Sequence, residues 1–171
     1  ENAINGAVDN IDISIEYKEG VQQVILNGEN VTSLLRTEET GKMASKTSKY
    51  AAVRTKLVAL QRGLAKKTDV IMDGRDIGTT VLPDAFAKIY LTASSDARAK
   101  RRYDELKEKG ENCSFDAIKE DIEKRDYEDM HRAISPLKQA DDAVLVDTSD
   151  MNIEQVVAAL SKIIDEKKAG R

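Results

Sequence analysis

Apolar residues follow two rhythms along this chain. In the first, Ile11, Ile13 and Ile15 alternate with Asp12, Ser14 and Glu16, the period of two expected of a strand with one buried face. Glu19-Gly20 interrupts the run, Val21 to Asn27 resumes it and Asn27-Gly28 ends it, so an antiparallel hairpin is predicted. Val31 to Leu35 is a short apolar stretch, and residues 38–50 are polar and Lys-rich, reading as a helix with a wide wet face. Val53, Leu57, Leu60 and Leu64 recur at i, i+4, i+7 and i+11, an amphipathic helix. Ile4, Val8 and Ile11 have similar spacing, so the chain opens inside a helical pattern at Glu1, without a Met or a signal-peptide pattern.

The second rhythm consists of continuous apolar runs. Val70-Ile71-Met72, Lys88 to Leu91 and Ala143 to Val146 each read as a buried parallel strand. Helical patterns lie between and after them. Ser94 or Ser95 is placed to cap a helix that runs through Arg98 to Lys109 and stops at Gly110. Ser114 is placed to cap the next, which continues to about Arg132. Asn152 with Gln155 forms a capping-box pattern before Ile153, Val156, Val157, Leu160, Ile163 and Ile164. Alternating strands and helices argue an α/β fold with helices on both faces of a parallel sheet. The change of rhythm divides residues 1–64 from residues 65–171.

Composition narrows the function classes. The chain has 171 residues, 40% hydrophobic and 34% charged, which suits a folded chain of one core with a small lobe. A net charge of −4 argues against nucleic-acid binding by bulk charge, and 4% aromatics without Trp against a base-stacking platform. No apolar run approaches the ~18 residues of a membrane helix. Cys113 and His131 are the only residues of their types, so neither a disulfide framework nor a Cys/His metal site is expected. A reducing, cytoplasmic setting fits this cysteine usage.

In an open parallel sheet, ligands sit beyond the carboxyl ends of the strands. Beyond Met72 comes Asp73-Gly74-Arg75-Asp76-Ile77-Gly78. Arg75 offers a planar fork suited to a phosphate, Asp73 a carboxylate for Mg²⁺ through water, and Asp76 an acceptor for an amino group. A tight turn with a self-neutralising Arg–Asp pair has the same letters. Arg125, Asp129 and Arg132 fall at i, i+4 and i+7, presenting plus, minus, plus on one helix face, as either an anion site or a surface salt bridge would. Arg98, Lys100, Arg101 and Arg102 form a basic cluster that either clamps phosphates or pairs with Asp104, Glu105 and Glu108. Gly41-Lys42 mimics the end of a G-x-x-x-x-G-K-[ST] loop, but Arg36 stands at the first glycine position and Met43 follows the Lys.

Taken in order, these residues resemble bacterial cytidylate kinases. The most specific stretch is DGRDIGTTVLPD at Asp73 to Asp84, followed by KIYLTAS at Lys88 to Ser94. LNGENVTSLLRT at Leu26 to Thr37, RRYDEL at Arg101 to Leu106, the Arg125-Asp126 pair and SPLKQADDAVLVDTS at Ser135 to Ser149 support it. Thr40 to Tyr50 is richer in Lys than the family pattern, and Glu128 stands where a basic residue is common.

The resemblance implies a parallel-sheet P-loop kinase core whose first strand and P-loop lie outside residues 1–171. It further implies a small antiparallel-sheet CMP-binding lobe over residues 1–64 and a short lid near residues 98–132. The implied activity is ATP-dependent phosphorylation of CMP and dCMP, with ATP and Mg²⁺ as cofactors, in a cytoplasmic monomer without nucleic-acid or membrane partners. Ser45, Arg54 and Asp76 are implied at the cytosine, Arg75 and Arg132 at the acceptor phosphate, and Arg125 and Asp129 at the sugar and phosphate. Arg101 and Arg102 are implied near the transferring phosphates. Without a P-loop, residues 1–171 alone are expected to be inactive. The alternatives are a non-catalytic CMP-binding fragment and a UMP/CMP-type sister kinase.

Overall fold

Two tight turns organise the first part of the chain. Glu19 and Gly20 both take positive φ, 53° and 78°, and Asn27 and Gly28 do the same at 50° and 84°. Paired positive φ values make type I′ turns, whose twist matches that of the strands they join. They connect β1 (Ile13–Lys18), β2 (Val21–Leu26) and β3 (Glu29–Asn30) into an antiparallel sheet of that order. Its register sets Ile13 opposite Leu26 and Lys18 opposite Val21. The Asn27 side chain accepts from the Asp12 amide at 2.8 Å, locking the second turn to the start of β1. The predicted hairpin is present; the two-residue β3 is an addition that the sequence pattern did not announce.

The computed structural model describes residues 2–170, with side chains except those at positions 2, 3, 5 and 38. The chain divides into two compact units, Glu1–Ile71 and Met72–Arg171. In the first, helices α1 (Asn2–Val8), α2 (Glu38–Thr47) and α3 (Ala51–Ala65) accompany the three-stranded sheet. Thr37 caps α2 by accepting from the Thr40 amide at 3.2 Å. Helix α1 packs on α3, and Val8 is buried.

The second unit carries β4 (Ile89–Thr92) and β5 (Val144–Asp147), which pair in parallel with Ile89 opposite Val144. Three capped helices belong to it. Ser94 accepts from the Ala97 amide to start α4 (Ser95–Glu108), and Ser114 accepts from Ala117 to start α5 (Phe115–His131). Asn152 and Gln155 exchange both bonds of a capping box, each 2.9 Å, at the start of α6 (Ile153–Ala169). Gly110 takes φ 75° past the end of α4, a backbone conformation that favours glycine. Val81, Ala93, Ala99, Leu106 and Val146 are buried, and α4 packs on α5.

One predicted strand is absent. Val70-Ile71-Met72 is irregular, and Ile71 is 98% exposed. A strand exists through the ladder that pairs it, and no described strand lies beside this run. The parallel sheet among the described residues therefore has two strands where the apolar runs predicted three.

Candidate functional site

The segment after Met72 turns tightly. The carbonyl of Asp76 accepts from Thr80 at 2.8 Å and from Val81 at 3.2 Å, and Ile77 accepts from Leu82 at 2.7 Å. These wide bonds wind Ile77–Val81 into a single π-helical turn, a form frequent at functional sites. The turn buries Val81 at 1% exposure and holds Asp76 at 6%. Lys88 braces it from outside. Its ammonium reaches the Pro83 carbonyl and pairs with Asp142 at 2.6 Å, while its stem lies over Gly78. A Cβ at Gly78 would sit 3.2 Å from Lys88 Cδ, so a side chain there would have to push the lysine stem aside by a few tenths of an ångström.

Helix α5 brings the matching charges. Arg75 Nε donates to Asp129 Oδ2 at 2.9 Å. The other Asp129 oxygen lies 3.6 Å from Arg132 Nη1, and Arg132 Nη2 lies 3.7 Å from Asp76 Oδ1. Two guanidinium groups and two carboxylates thus alternate as Arg75–Asp129–Arg132–Asp76. The Arg132 and Asp76 side chains are only 10% and 7% exposed. A buried charge is tolerated when paired, and removing one partner of such a pair costs about 3–5 kcal/mol. Two of the contacts are longer than hydrogen bonds, so charge attraction rather than shared protons links Arg132 to both carboxylates.

Arg132 directly follows α5 and is already extended, with φ −65° and ψ 143°. The i+7 spacing from Arg125 therefore does not carry it onto the helix face. Its direction comes from the following loop instead, where Nε donates to the Ser135 carbonyl at 2.6 Å and the Leu137 amide donates to the Asp129 carbonyl at 2.8 Å. Arg125 remains an exposed residue of α5, apart from the cluster. Asp73 is likewise exposed.

The basic cluster of α4 is engaged with protein groups. Arg98 grips Asp126 with two bonds of 3.0 and 2.6 Å, and that hydrogen-bonded carboxylate raises the guanidinium pKa above its ordinary value. Arg101 donates to the carbonyl of Thr148 and, at 3.2 Å, to that of Met151. Thr148 is itself buried and donates to the Thr92 carbonyl at 2.9 Å. Arg102 pairs with Glu105 at 2.8 Å on the helix surface. Hydrogen bonds from Lys109 and then Arg102 hold the Glu105 carboxyl below the usual range.

In the first unit, Ser45 lies on α2 and Arg54 on α3, both half-buried. The Ser45 carbonyl accepts from the Ser48 hydroxyl at 2.8 Å. Sequence reasoning missed Ser135 and Lys88. Nothing in the sequence marked the Lys88 stem as the neighbour of Gly78. Ser135 precedes Pro136, and a residue before proline is biased to extended backbone, so the sequence pointed away from its role.

The family model described as cytidylate kinase matches residues 1–166. A cytidylate kinase of Lactobacillus johnsonii is 49% identical over 168 residues, covering 98% of this chain and 73% of the relative. That of Leuconostoc mesenteroides is 47% identical over 96% of this chain and 74% of its own length. That of Caldicellulosiruptor saccharolyticus is 48% identical over 92% and 69%. The matched region contains Arg75, Asp76, Asp129 and Arg132, and the chain belongs to the cytidylate kinase family.

Proposed function

We propose that the alternating cluster is the acceptor site for CMP and dCMP in an ATP-dependent phosphoryl transfer. The observation that carries this reading is the gathering of Arg75 and Arg132 with a buried carboxylate, Asp76. Two guanidinium forks suit the non-bridging oxygens of a nucleoside monophosphate. Asp76 accepts from the cytosine amino group and Asp129 lies at the sugar and phosphate; Arg125, apart from the cluster, is proposed there on the strength of the resemblance alone. Ser45 and Arg54 are proposed for the same base, on the strength of the resemblance. Uracil would present a carbonyl to Asp76 and leave buried polar groups unsatisfied, which disfavours a UMP kinase.

In the transfer, a phosphate oxygen of CMP attacks the γ-phosphorus of ATP, the bond to the bridging oxygen breaks, and ADP leaves with that electron pair. The protein's part is placement and charge neutralisation. Arg101 and Arg102 are proposed to approach the transferring phosphates. Arg101 must first exchange the Thr148 and Met151 carbonyls for phosphate oxygens, and Arg102 must release Glu105. Magnesium that arrives with nucleotide phosphates needs only one or two protein carboxylates. Exposed Asp73 fits that lean donor set, and no cluster of three acidic, His or Cys side chains occurs among the described residues. When bound, the ion offsets phosphate charge.

No G-x-x-x-x-G-K-[ST] sequence occurs in residues 1–171, so the cradle for the donor phosphates is not among them. These residues alone are proposed to bind the acceptor without turning it over. The test is calorimetric titration with CMP, UMP and AMP, alongside an ADP-release assay with the same acceptors. Selective binding of CMP supports the acceptor site, while equal binding of all three, or of none, overturns it.

A further inference from the structure

We propose that Ser135 is a positioning residue for the acceptor phosphate, acting through its backbone carbonyl on Arg132. The inference rests on the reading of Arg132 as a phosphate ligand. Ser135 has φ 49°, the left-handed region, although it carries a side chain and precedes Pro136. Left-handed backbone is unfavourable for residues other than Gly, Asn and Asp, and a following proline biases its neighbour to extended backbone. Strain of this kind persists where the surrounding structure holds it. Here the left-handed residue presents its carbonyl to Arg132 Nε at 2.6 Å.

The bond is short and directional, and it constrains the guanidinium. Arg132 leaves α5 in extended backbone, so the helix does not aim its side chain. Its contacts with Asp129 and Asp76 are 3.6 and 3.7 Å, too long for hydrogen bonds that would fix an angle. The Nε–H donation to Ser135 holds one edge of the planar fork at a fixed angle. The Leu137 amide on the Asp129 carbonyl, 2.8 Å, returns the same loop to α5 and holds the carbonyl in place. A phosphate that meets a pre-set fork loses less to ordering than one that must orient it.

The test uses Ser135→Val, Ser135→Gly and Ser135→Asn, with Arg132→Lys as a reference. Val is β-branched and resists left-handed φ, whereas Gly and Asn accept it. Ser135→Val is expected to weaken CMP binding about tenfold by calorimetry, the effect of losing one charge-assisted hydrogen bond. Ser135→Gly and Ser135→Asn are expected to bind like the parent. In ¹⁵N-arginine NMR, the Arg132 Nε–H of the parent should exchange far more slowly than that of exposed Arg125. Unchanged CMP affinity in Ser135→Val, or an Arg132 Nε–H that exchanges as fast as that of Arg125, overturns the proposal. The NMR comparison, which needs only the parent, stands even where Ser135→Val does not fold. Arg132→Lys keeps the charge but loses the fork. Should it bind CMP as tightly as the parent, the reading of Arg132 as a phosphate ligand fails instead, whatever Ser135 does to the Nε–H.

Discussion

Asp76 carries the sharpest test at the scale of single residues. It is 6% exposed, and its carboxylate faces Arg132 at 3.7 Å. Asn at this position keeps the size but replaces one acceptor oxygen with a donor amide, which suits the O4 carbonyl of uracil better than the amine of cytosine. Asp76→Asn should therefore lower the CMP-to-UMP affinity ratio by about tenfold or more. Titration of both nucleotides measures it, and an unchanged ratio removes Asp76 from base recognition. The candidate residues were legible in the sequence to an uneven degree. Arg75 and Asp76 stood out as charges crowded between glycines, and Asp129 with Arg132 as a helical spacing. What joins them was not legible. The Arg75–Asp129 contact spans 54 positions, and the carbonyl that orients Arg132 belongs to a residue whose backbone conformation runs against its local preference.

At the scale of elements, caps and turns were legible because their chemistry is local. Asn152 and Gln155 reach each other across three positions, so their letters suffice to start α6. Asn152→Ala removes the acceptor for the Gln155 amide and should cost about 1 kcal/mol, read as a fall of a few degrees in Tm. An unchanged Tm would mean that packing, not the cap, sets this helix. The strand expected at Val70-Ile71-Met72 shows the opposite case. An apolar run states a need for burial but not the partner that meets it, and pairing is decided far away in sequence. The short β3 was missed for a related reason. Glu29-Asn30 has no hydrophobic pattern, and only the type I′ turn at Asn27-Gly28 brings it beside β2.

At the scale of the whole molecule, stability should depend on pH in one direction. The Lys88 ammonium, 2.6 Å from Asp142, holds that carboxyl below its ordinary value, and the Ser149 hydroxyl does so for Asp147 at 2.6 Å. A carboxyl with a lowered folded-state pKa contributes stability that is complete above the ordinary value near 4. That contribution is lost as pH falls through the lowered one. The Tm should hold steady from about pH 7 to 5 and fall below about pH 4. Asp142→Asn should lower Tm near neutrality, with the two curves converging in acid. Parallel curves would show that Lys88 gains nothing from its partner's charge.

Ligand linkage joins the same scale to function. A ligand that binds only the folded chain raises its stability by RT ln(1 + [L]/Kd), about 2.7 kcal/mol at a hundredfold excess over Kd. Residues 1–171 contain the two guanidinium groups and the buried carboxylate proposed for CMP, and no G-x-x-x-x-G-K-[ST] sequence for a triphosphate. CMP should therefore raise Tm by several degrees, whereas ATP with Mg²⁺ at equal concentration should leave it nearly unchanged, and a polypeptide of residues 1–171 should release no ADP. A shift with ATP as large as that with CMP would mean that another set of residues holds the donor, with the lysines and arginines of α4 the first to exchange for neutral side chains. A shift with CMP that Asp76→Asn transfers to UMP would place the base against Asp76, because mass action reports only contacts that the folded state makes.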